Sequence, residues 1–392
     1  MGDSVKNFGY QYSAKMKIAV LTLPLHTNYG GILQAFALQT ILQRMGHEVH
    51  VFDKSHLVIP YPPLIEYILL LIKRFIKKYV LFDSHIEVFF ERNRNRVYSI
   101  ISRNTQKFIQ RYINTRIIDD LTTLKQNEYD AYVVGSDQVW RPLYFCFGSI
   151  DYAYLSFAER WNHVKRIAYA PSFGTNQWEY TVEQTAICGG LLQKFDLVTI
   201  REDDGVRLCQ EQFHVKAVQV PDPTLLLTSS DYECLVRNAH TRKSNGQLLV
   251  YILDSSAETE RLVADVAQQK RAIPFYISSK VENKYAPLQE RIQISVEQWL
   301  RGFTDAEYVI TDSFHGCIFS ILFNKPFVVL ENLERGMSRI YSLLRLFNLE
   351  DRLITSSKTI DSLKNIDWTS VNQIRKEQQS FVEELLKKQL QF

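Results

Sequence analysis

Apolar runs alternate with amphipathic stretches along most of the chain, in the order expected of strands followed by helices. The first unit shows the pattern most clearly. Residues 17–23 are aliphatic and β-branched, whereas residues 32–45 carry apolar side chains at helical spacing. A glycine turn at 28–31 separates them, and a second strand follows at 46–53 behind a glycine that ends the helix. Such alternation predicts parallel sheets joined by right-handed crossovers.

Further strands are predicted, each followed by a polar or glycine-bearing loop. The strands are 131–134, 166–170, 197–200 and 217–220, and the loops are 135–140, 171–174, 201–204 and 221–224. The carboxyl ends of parallel strands meet at one edge of a sheet, where α/β proteins bind ligands. These loops are therefore predicted to form one wall of a cleft.

The second half of the chain repeats the alternation after a polar stretch at 227–245. Strands and helices resume at 247–253, 257–270 and 274–278. A chain of 392 residues is too long for one ordinary core, so two α/β domains are expected, at 16–230 and 246–367. Residues 368–392 are helical by pattern and could pack back on the first domain.

A histidine lies at a strand-to-helix junction in this second half. Residues 308–310 are β-branched and aromatic, Asp312 and Ser313 are good N-cap residues, and 317–323 is apolar enough for a buried helix. His315 is therefore predicted to lie within the first helical turn. Because the first N–H groups of a helix attract anions, a phosphate or carboxylate site is expected beside it.

Composition and charge exclude several classes of protein. A formal net charge of +3 does not favour nucleic acid as the main partner. The five cysteines are scattered without metal-ligand spacing, and their odd number favours a reducing, cytoplasmic location. No metal site is expected. Residues 1–15 are polar and lack the apolar core of a signal peptide, and the glycines at 28–31 do not form a dinucleotide fingerprint.

Residues 64–82 break the alternation of strands and helices. The segment is strongly apolar, yet Lys73, Arg74, Lys77 and Lys78 interrupt it at helical spacing, so it is too charged to span a bilayer. One interpretation is a helix packed on the core with a solvated basic edge. The other is a helix that lies on an anionic membrane surface.

Five short motifs follow one another along the chain. They are Asn28-Tyr-Gly-Gly31, Gly135-Ser-Asp-Gln-Val-Trp140, Arg201-Glu202, Pro221-Asp-Pro-Thr224 and Thr311-Asp-Ser-Phe-His-Gly316. In this order they resemble the polysaccharide pyruvyltransferase family, over residues 17 to about 349. The resemblance implies a GT-B-like pair of Rossmann-type domains facing a cleft. It also implies phosphoenolpyruvate as donor substrate with no separate cofactor, a sugar of a surface polysaccharide or lipid-linked oligosaccharide as acceptor, and a cyclic pyruvate ketal as product.

Ketal formation from an enol phosphate needs an acid/base and a cation. His315 is the candidate acid/base, because imidazole titrates near neutral pH. Arg201, at the end of the strand 197–200, is the candidate clamp for the phosphate or carboxylate of the donor. Ser313, Gly316 and Arg339 are expected to complete the donor site.

The chain departs from the family pattern at one of these positions. Many similar members have an arginine two positions before the motif histidine, where this chain has Ser313. Arg339 or Lys325 could supply the missing positive charge, and the Ser313 hydroxyl could bond an anion.

The acceptor is expected to lie against the first domain. Asn28, Gly30 and Gly31 would let a ligand approach the first helix, and Asp137 would accept hydrogen bonds from acceptor hydroxyls. Structural explanations stay open for several of these groups. Asp137 could hold its own turn, Arg201 could pair with Glu202 or Asp204, and Asp222 between two prolines is interpreted as structural.

Two other classes of function stay open. The first is a GT-B-type glycosyltransferase with a nucleotide-sugar donor, whose base pocket would lie near 276–280. The second is a scaffold in surface-polysaccharide assembly that docks through residues 64–82. A lipid-linked acceptor, together with that segment, would place the protein at the inner face of the membrane.

Overall fold

The computed structural model describes residues 15–55, 61–83, 86–283, 285–332, 335–354, 360 and 363–390. The polar segment 1–14, for which the sequence predicts no signal peptide, lies outside them. The described chain forms two wholly parallel sheets flanked by helices, which confirms the α/β class predicted from the alternation.

The first sheet has seven strands in the order β3-β2-β1-β4-β5-β6-β7. The strands are β1 Lys17–Leu21, β2 Glu48–Asp53, β3 Thr115–Ile117, β4 Ala131–Val134, β5 Lys165–Ala168, β6 Leu197–Ile200 and β7 Val218–Gln219. The order matches a doubly wound dinucleotide-binding sheet with one added strand. Its winding reverses between β1 and β4, which pair directly from Ile18↔Ala131 to Leu21↔Val134. Doubly wound sheets bind ligands at such a switch point.

The helices of the first half connect or follow these strands, and each of them except one, described below, has buried residues. They are α1 Tyr29–Arg44, α2 Leu64–Tyr79, α3 Phe90–Ile101, α4 Arg103–Tyr112, α5 Val182–Leu192, α6 Asp203–Gln212 and α7 Ser229–Asn238. The predicted glycine turn at 28–31 is wrong, because α1 already begins at Tyr29. The side chain of Asn28 caps the helix by accepting a hydrogen bond from the N–H of Gly31 at 3.2 Å.

The second sheet has five strands in the order β12-β11-β10-β8-β9. The strands are β8 Leu248–Tyr251, β9 Pro274–Tyr276, β10 Tyr308–Thr311, β11 Phe327–Leu330 and β12 Leu353–Ile354. The remaining helices are α8 Ala257–Lys270, α9 Leu288–Arg291, α10 Val296–Asp305, α11 Phe314–Leu322, α12 Ser338–Leu346 and α13 Trp368–Gln389. This order is that of a flavodoxin-like sheet, and its winding reverses between β8 and β10. The loop after β10 carries the histidine motif.

Specific contacts fix the two sheets relative to each other. The ring of Tyr29 stacks on that of Trp299 from α10, with centroids 5.3 Å apart, and its hydroxyl donates to Gln293 at 2.9 Å. From α13, the side-chain amide of Gln379 donates to the carbonyl of Leu225 at 2.9 Å, and Arg375 donates to the carbonyl of Leu322. The carboxyl-terminal helix therefore contacts both halves. The domain limits at 230 and 246 stay a prediction.

Helix α2 differs from the other helices of the first half. None of its residues is buried, although it is strongly amphipathic. The interpretation of 64–82 as a core-packed helix is therefore wrong for this segment. No helix in the described part of the chain combines the length and apolarity needed to cross a membrane.

Candidate functional site

A cleft of about 1180 Å³ opens between the two sheets. Its walls come from the loops after β1 and β4 on one side and from the loops after β8 and β10 on the other. These are the loops at the two points where the winding reverses. The switch points of both sheets thus face each other across one cavity, which is where such folds bind ligands.

The histidine motif lies in this cleft. Ser313 is the N-cap of α11, because its hydroxyl accepts a hydrogen bond from the N–H of Gly316 at 3.4 Å, and His315 lies in the first turn. The imidazole packs against Gly30 so closely that a Cβ on this glycine would lie 2.0 Å from Nδ1. Its Nε2 is buried without a hydrogen-bond partner among the described residues. The histidine and the first turn of α1 therefore form one surface across the cleft.

Asp222 faces the same imidazole from below the cleft wall. Its Oδ2 lies 3.7 Å from Nε2 of His315 and 2.8 Å from Nη1 of Arg201, while its Oδ1 accepts the N–H of Thr224 at 3.0 Å. Burial alone would raise the pKa of Asp222. The interactions with His315 and Arg201 outweigh burial and hold that pKa below its ordinary value. Asp222, interpreted from sequence as structural, does cap the turn at Thr224, and it also forms the buried ion pair with Arg201.

Arg201 lies one layer behind the cleft wall. Its side chain is 1% exposed, and it donates to Asp222 and to the hydroxyl of Ser136 at 3.3 Å. The ring of Phe314 covers it, with the centroid 4.5 Å from Cζ. In this conformation Arg201 is not placed to touch a donor, contrary to the expectation from sequence. Its main ion pair is with Asp222, not with Glu202 or Asp204.

Arg339 lines the cleft and, unlike Lys280 and Arg335 in the same lining, has no ion pair among the described residues. Its Cζ lies 5.8 Å from the centroid of the Phe314 ring, and Nη2 donates to the carbonyl of Arg335 at 2.9 Å. Nε is buried without a partner among the described residues. Burial, followed by repulsion from Arg201, lowers the pKa of Arg339 to about 10, so the group stays charged at neutral pH. Lys325, the alternative cation, instead donates to the carbonyl of Thr304 and lies off the cleft.

The remaining predicted donor residue, Gly316, does not line the cleft. A Cβ at this position would lie 2.1 Å from Oγ1 of Thr311, so the glycine allows α11 to pack on the end of β10. Gly316 is therefore not placed to contact a ligand in the cleft, contrary to the expectation from sequence.

On the opposite wall, Asn28, Gly30 and Asp137 line the cleft, but Gly31 does not. Asp137 adopts a positive φ of 76°, which is unusual for a residue with a side chain and is typical of strained functional loops. Its Oδ1 accepts the N–H of Gln138 at 2.9 Å and lies 3.9 Å from Arg201. A Cβ at Gly31 would lie 3.2 Å from Oδ2 of Asp137. Asp137 thus holds its own turn and also faces the cavity.

Several cleft residues were missed from sequence. His26 lines the wall next to Thr27, and burial lowers the pKa of its imidazole despite the nearby charges of Asp137 and Glu282. At the rim, Arg335 bridges Asp254 at 2.5 Å and Glu282 at 2.7 Å. The position of His26 after the first strand was a usable signal. The rim bridge joins residues far apart in sequence, and no local pattern indicates it.

Asp312 of the histidine motif has a structural task. Its carboxylate accepts the N–H groups of Leu253 and Asp254 and the side-chain amide of Asn332 at 2.9 Å. Burial raises the pKa of this carboxyl. Within the described ranges, no group of three histidine, cysteine, aspartate or glutamate side chains is placed to hold a metal ion.

Comparisons with known proteins give one family and several solved structures. The family model described as polysaccharide pyruvyl transferase matches residues 28–334. No curated protein matches the chain by sequence.

Among solved structures, UDP-GlcNAc 2-epimerase from Neisseria meningitidis is 12% identical, covers 95% of this chain and 100% of its own, and has a TM-score of 0.43. UDP-GlcNAc 2-epimerase from Methanocaldococcus jannaschii is 11% identical, covers 95% of this chain and 100% of its own, and has a TM-score of 0.45. The spinosyn forosaminyltransferase SpnP is 12% identical, covers 96% of this chain and 100% of its own, and has a TM-score of 0.41.

Proposed function

The chain belongs to the polysaccharide pyruvyl transferase family, and on this premise we propose that it transfers pyruvate from phosphoenolpyruvate to a saccharide as a cyclic ketal. The acceptor we propose is a sugar of a surface polysaccharide or of a lipid-linked oligosaccharide. The reaction would take place in the cytoplasm, where a phosphorylated donor is available.

The observation that carries the proposal is the unpaired cation in the cleft. Arg339 lines the cavity and has no carboxylate partner among the described residues, and the first turn of α11 with its N–H groups lies in the same wall. A guanidinium and a helix N-terminus both favour phosphate and carboxylate. Phosphoenolpyruvate carries both groups on a three-carbon unit. Arg339 thereby supplies the charge that Ser313 does not.

The reaction balances with one acid/base group. The methylene carbon of the donor gains a proton, two sugar hydroxyls form bonds to the central carbon, and the bond from that carbon to the phosphate oxygen breaks. Of the two hydroxyl protons, one replaces the proton given to the methylene carbon and the other leaves with phosphate. In this proposal His315 delivers and recovers the proton, and Arg339 binds the departing phosphate.

Asp222 and Arg201 act through the histidine. The carboxylate at 3.7 Å from Nε2 stabilises the imidazolium that carries the proton. Arg201 in turn keeps Asp222 ionised inside the fold. We assign both as positioning residues. Asn28, Gly30 and Asp137 on the facing wall are proposed to contact the acceptor.

Gly30 tests the contact between the two walls. Gly30→Ala places a methyl group 2.0 Å from the position that Nδ1 of His315 occupies, so the imidazole must move. We expect turnover of phosphoenolpyruvate to fall at least about tenfold, as for a misplaced catalytic group. Gly190→Ala is the matched control, because this helical glycine has no atom within 4 Å of the new Cβ. It should stabilise the protein by about 0.5–1 kcal/mol and leave turnover unchanged. Equal turnover in the two variants would contradict the contact.

Arg339 tests donor binding. Arg339→Gln removes a charge that makes no ion pair in the described chain, so the fold should be preserved. We expect the Kd for phosphoenolpyruvate to rise about 10- to 100-fold, the value of one or two charge-assisted hydrogen bonds. Thermal melts with increasing phosphoenolpyruvate measure this shift. Arg345→Gln, on the same helix but paired with Asp203 at the surface, should bind the donor like the wild type.

Thermal melts also distinguish a phosphoenolpyruvate donor from a nucleotide-sugar donor. A nucleotide-sugar enzyme would be stabilised by nucleoside diphosphates, with the base near Tyr276, which lines the far end of the cleft. Stabilisation by nucleoside diphosphates alone, with no response to phosphoenolpyruvate, would overturn the proposed donor.

A further inference from the structure

Helix α2 presents its apolar face to solvent. The residues of this face are between 45% and 77% exposed, and they are Leu64, Ile65, Ile68, Leu69, Ile72, Phe75, Ile76 and Tyr79. With 3.6 residues per turn they fall within an arc of about 140°. The stripe continues past the helix end, where Phe82 is 85% exposed. An apolar patch of this size on a monomer marks a surface that is covered by something else.

The side of the helix opposite the apolar stripe attaches it to the protein. Arg74, on the side opposite the stripe, forms a two-pronged ion pair with the buried carboxylate of Glu91 in α3, with distances of 2.7 and 2.8 Å. Its guanidinium also lies 5.6 Å from the ring of Phe90. The anchoring contact therefore turns the apolar stripe outward, so its exposure is built into the fold.

Lysines border the stripe on both edges. At helical spacing, Lys73 lies along one edge and Lys78 along the other, whereas Lys77 lies on the opposite side with Arg74. Long lysine side chains beside an apolar face reach outward to phosphate groups while the aliphatic side chains enter the bilayer. Two copies of the helix facing each other would bring these like charges together, so the charge pattern disfavours self-association.

We propose that α2 and residues 80–82 bind peripherally to an anionic lipid surface, with the helix lying in the plane of the interface. Helix α3, to which α2 is attached through Glu91, links α2 to the cleft. Helix α3 contacts α9, and Glu290 of α9 pairs with Lys280 in the cleft wall at 2.7 Å. Membrane binding would thus hold the cavity close to lipid headgroups. The proposal stands independently of the donor chemistry.

Flotation of the full chain with vesicles tests the proposal without donor or acceptor. We expect binding to vesicles of phosphatidylglycerol and phosphatidylcholine, and much weaker binding to phosphatidylcholine alone. The double variant Ile65→Asp and Leu69→Asp changes two exposed side chains, so folding should be unaffected. It should weaken vesicle binding about 100-fold, since each buried aliphatic side chain contributes about a factor of ten.

Two control variants separate the apolar and charge contributions. Val182→Asp alters a side chain that is 90% exposed at the start of α5 and should bind vesicles like the wild type. Replacing Lys73, Lys77 and Lys78 with glutamine should remove the preference for anionic lipid. Absence of binding to both vesicle types would overturn the proposal. So would a wild-type dimer in sedimentation that does not bind vesicles and that Ile65→Asp with Leu69→Asp makes monomeric, because the partner would then be a second copy.

Discussion

Replacing Arg201 with methionine will lower the free energy of unfolding by about 3–5 kcal/mol, the cost of leaving one member of a buried ion pair without its partner. Methionine keeps most of the side-chain volume, so the loss comes from Asp222. That carboxylate is almost fully buried and depends on Arg201 at 2.8 Å. Denaturant unfolding at neutral pH measures the change.

The pH dependence identifies the cause of this loss. In the wild type the pKa of Asp222 is held below its ordinary value, so its contribution to stability is present above the unfolded pKa and lost only in strong acid. In Arg201→Met the carboxylate of Asp222 stays buried without its guanidinium partner, so acidification from pH 7 to pH 5 favours its protonation. Protonation reduces the penalty, so the difference from wild type should shrink at pH 5.

Arg207→Met is the control for Arg201. Arg207 lies nearby on α6 and pairs with Asp204 and Glu211 at the surface, where its side chain is 46% exposed. Its replacement should cost no more than about 1 kcal/mol. Comparable losses in the two variants, or a loss at Arg201 that is independent of pH, would contradict a buried charge pair.

Replacing His315 with glutamine will lower kcat by about 10²–10⁴-fold while leaving the protein folded. Glutamine keeps the polarity of the side chain but cannot carry a proton through the reaction. Stability should fall less than in Arg201→Met, because Asp222 keeps its ion pair with Arg201 at 2.8 Å. Donor binding in thermal melts should also be kept, since Arg339 is unchanged. Phosphate release from phosphoenolpyruvate in the presence of acceptor measures kcat.

His214→Gln serves as the matched control for His315. His214 is exposed in the loop after α6, and it does not line the cleft. Its variant should keep full turnover. Loss of donor binding in His315→Gln, with unchanged kcat at saturating donor, would show that the histidine binds the donor instead of transferring a proton.

The sequence predicted the two parallel sheets because strand and helix periodicity are local patterns. Of the four loops predicted to form a cleft wall, however, 135–140 lines the cavity and 171–174, 201–204 and 221–224 do not. Strand and helix periodicity located β10 and α11, and Asp312 with Ser313 indicated the helix start beside His315. Loops after the strands of one parallel sheet lie at the same edge, so the 135–140 and 201–204 loops were expected on one side of the sheet, and Asp137 does lie 3.9 Å from Arg201.

The sequence could not show how far each side chain lies from the cleft surface. Arg201 and Arg339 are equally good cations by residue type, yet one lies behind Phe314 and the other lines the cleft. That difference depends on packing between elements about 140 residues apart. Asp222 looked like a turn residue because Pro-Asp-Pro is a local pattern, whereas its pairing with Arg201 is not. Amphipathicity likewise gave α2 two faces but could not tell which one the Arg74–Glu91 contact turns outward.

The most direct test of the central claim uses saccharide from cells that lack this gene, because that material retains the acceptor in unmodified form. The purified protein is incubated with it and phosphoenolpyruvate, and phosphate release is compared with the pyruvate ketal found in the saccharide by NMR. We predict phosphate and ketal in equal amounts, both absent with His315→Gln. Equal ketal content in saccharide from cells with and without the gene, together with no release of phosphate, would contradict the proposed activity.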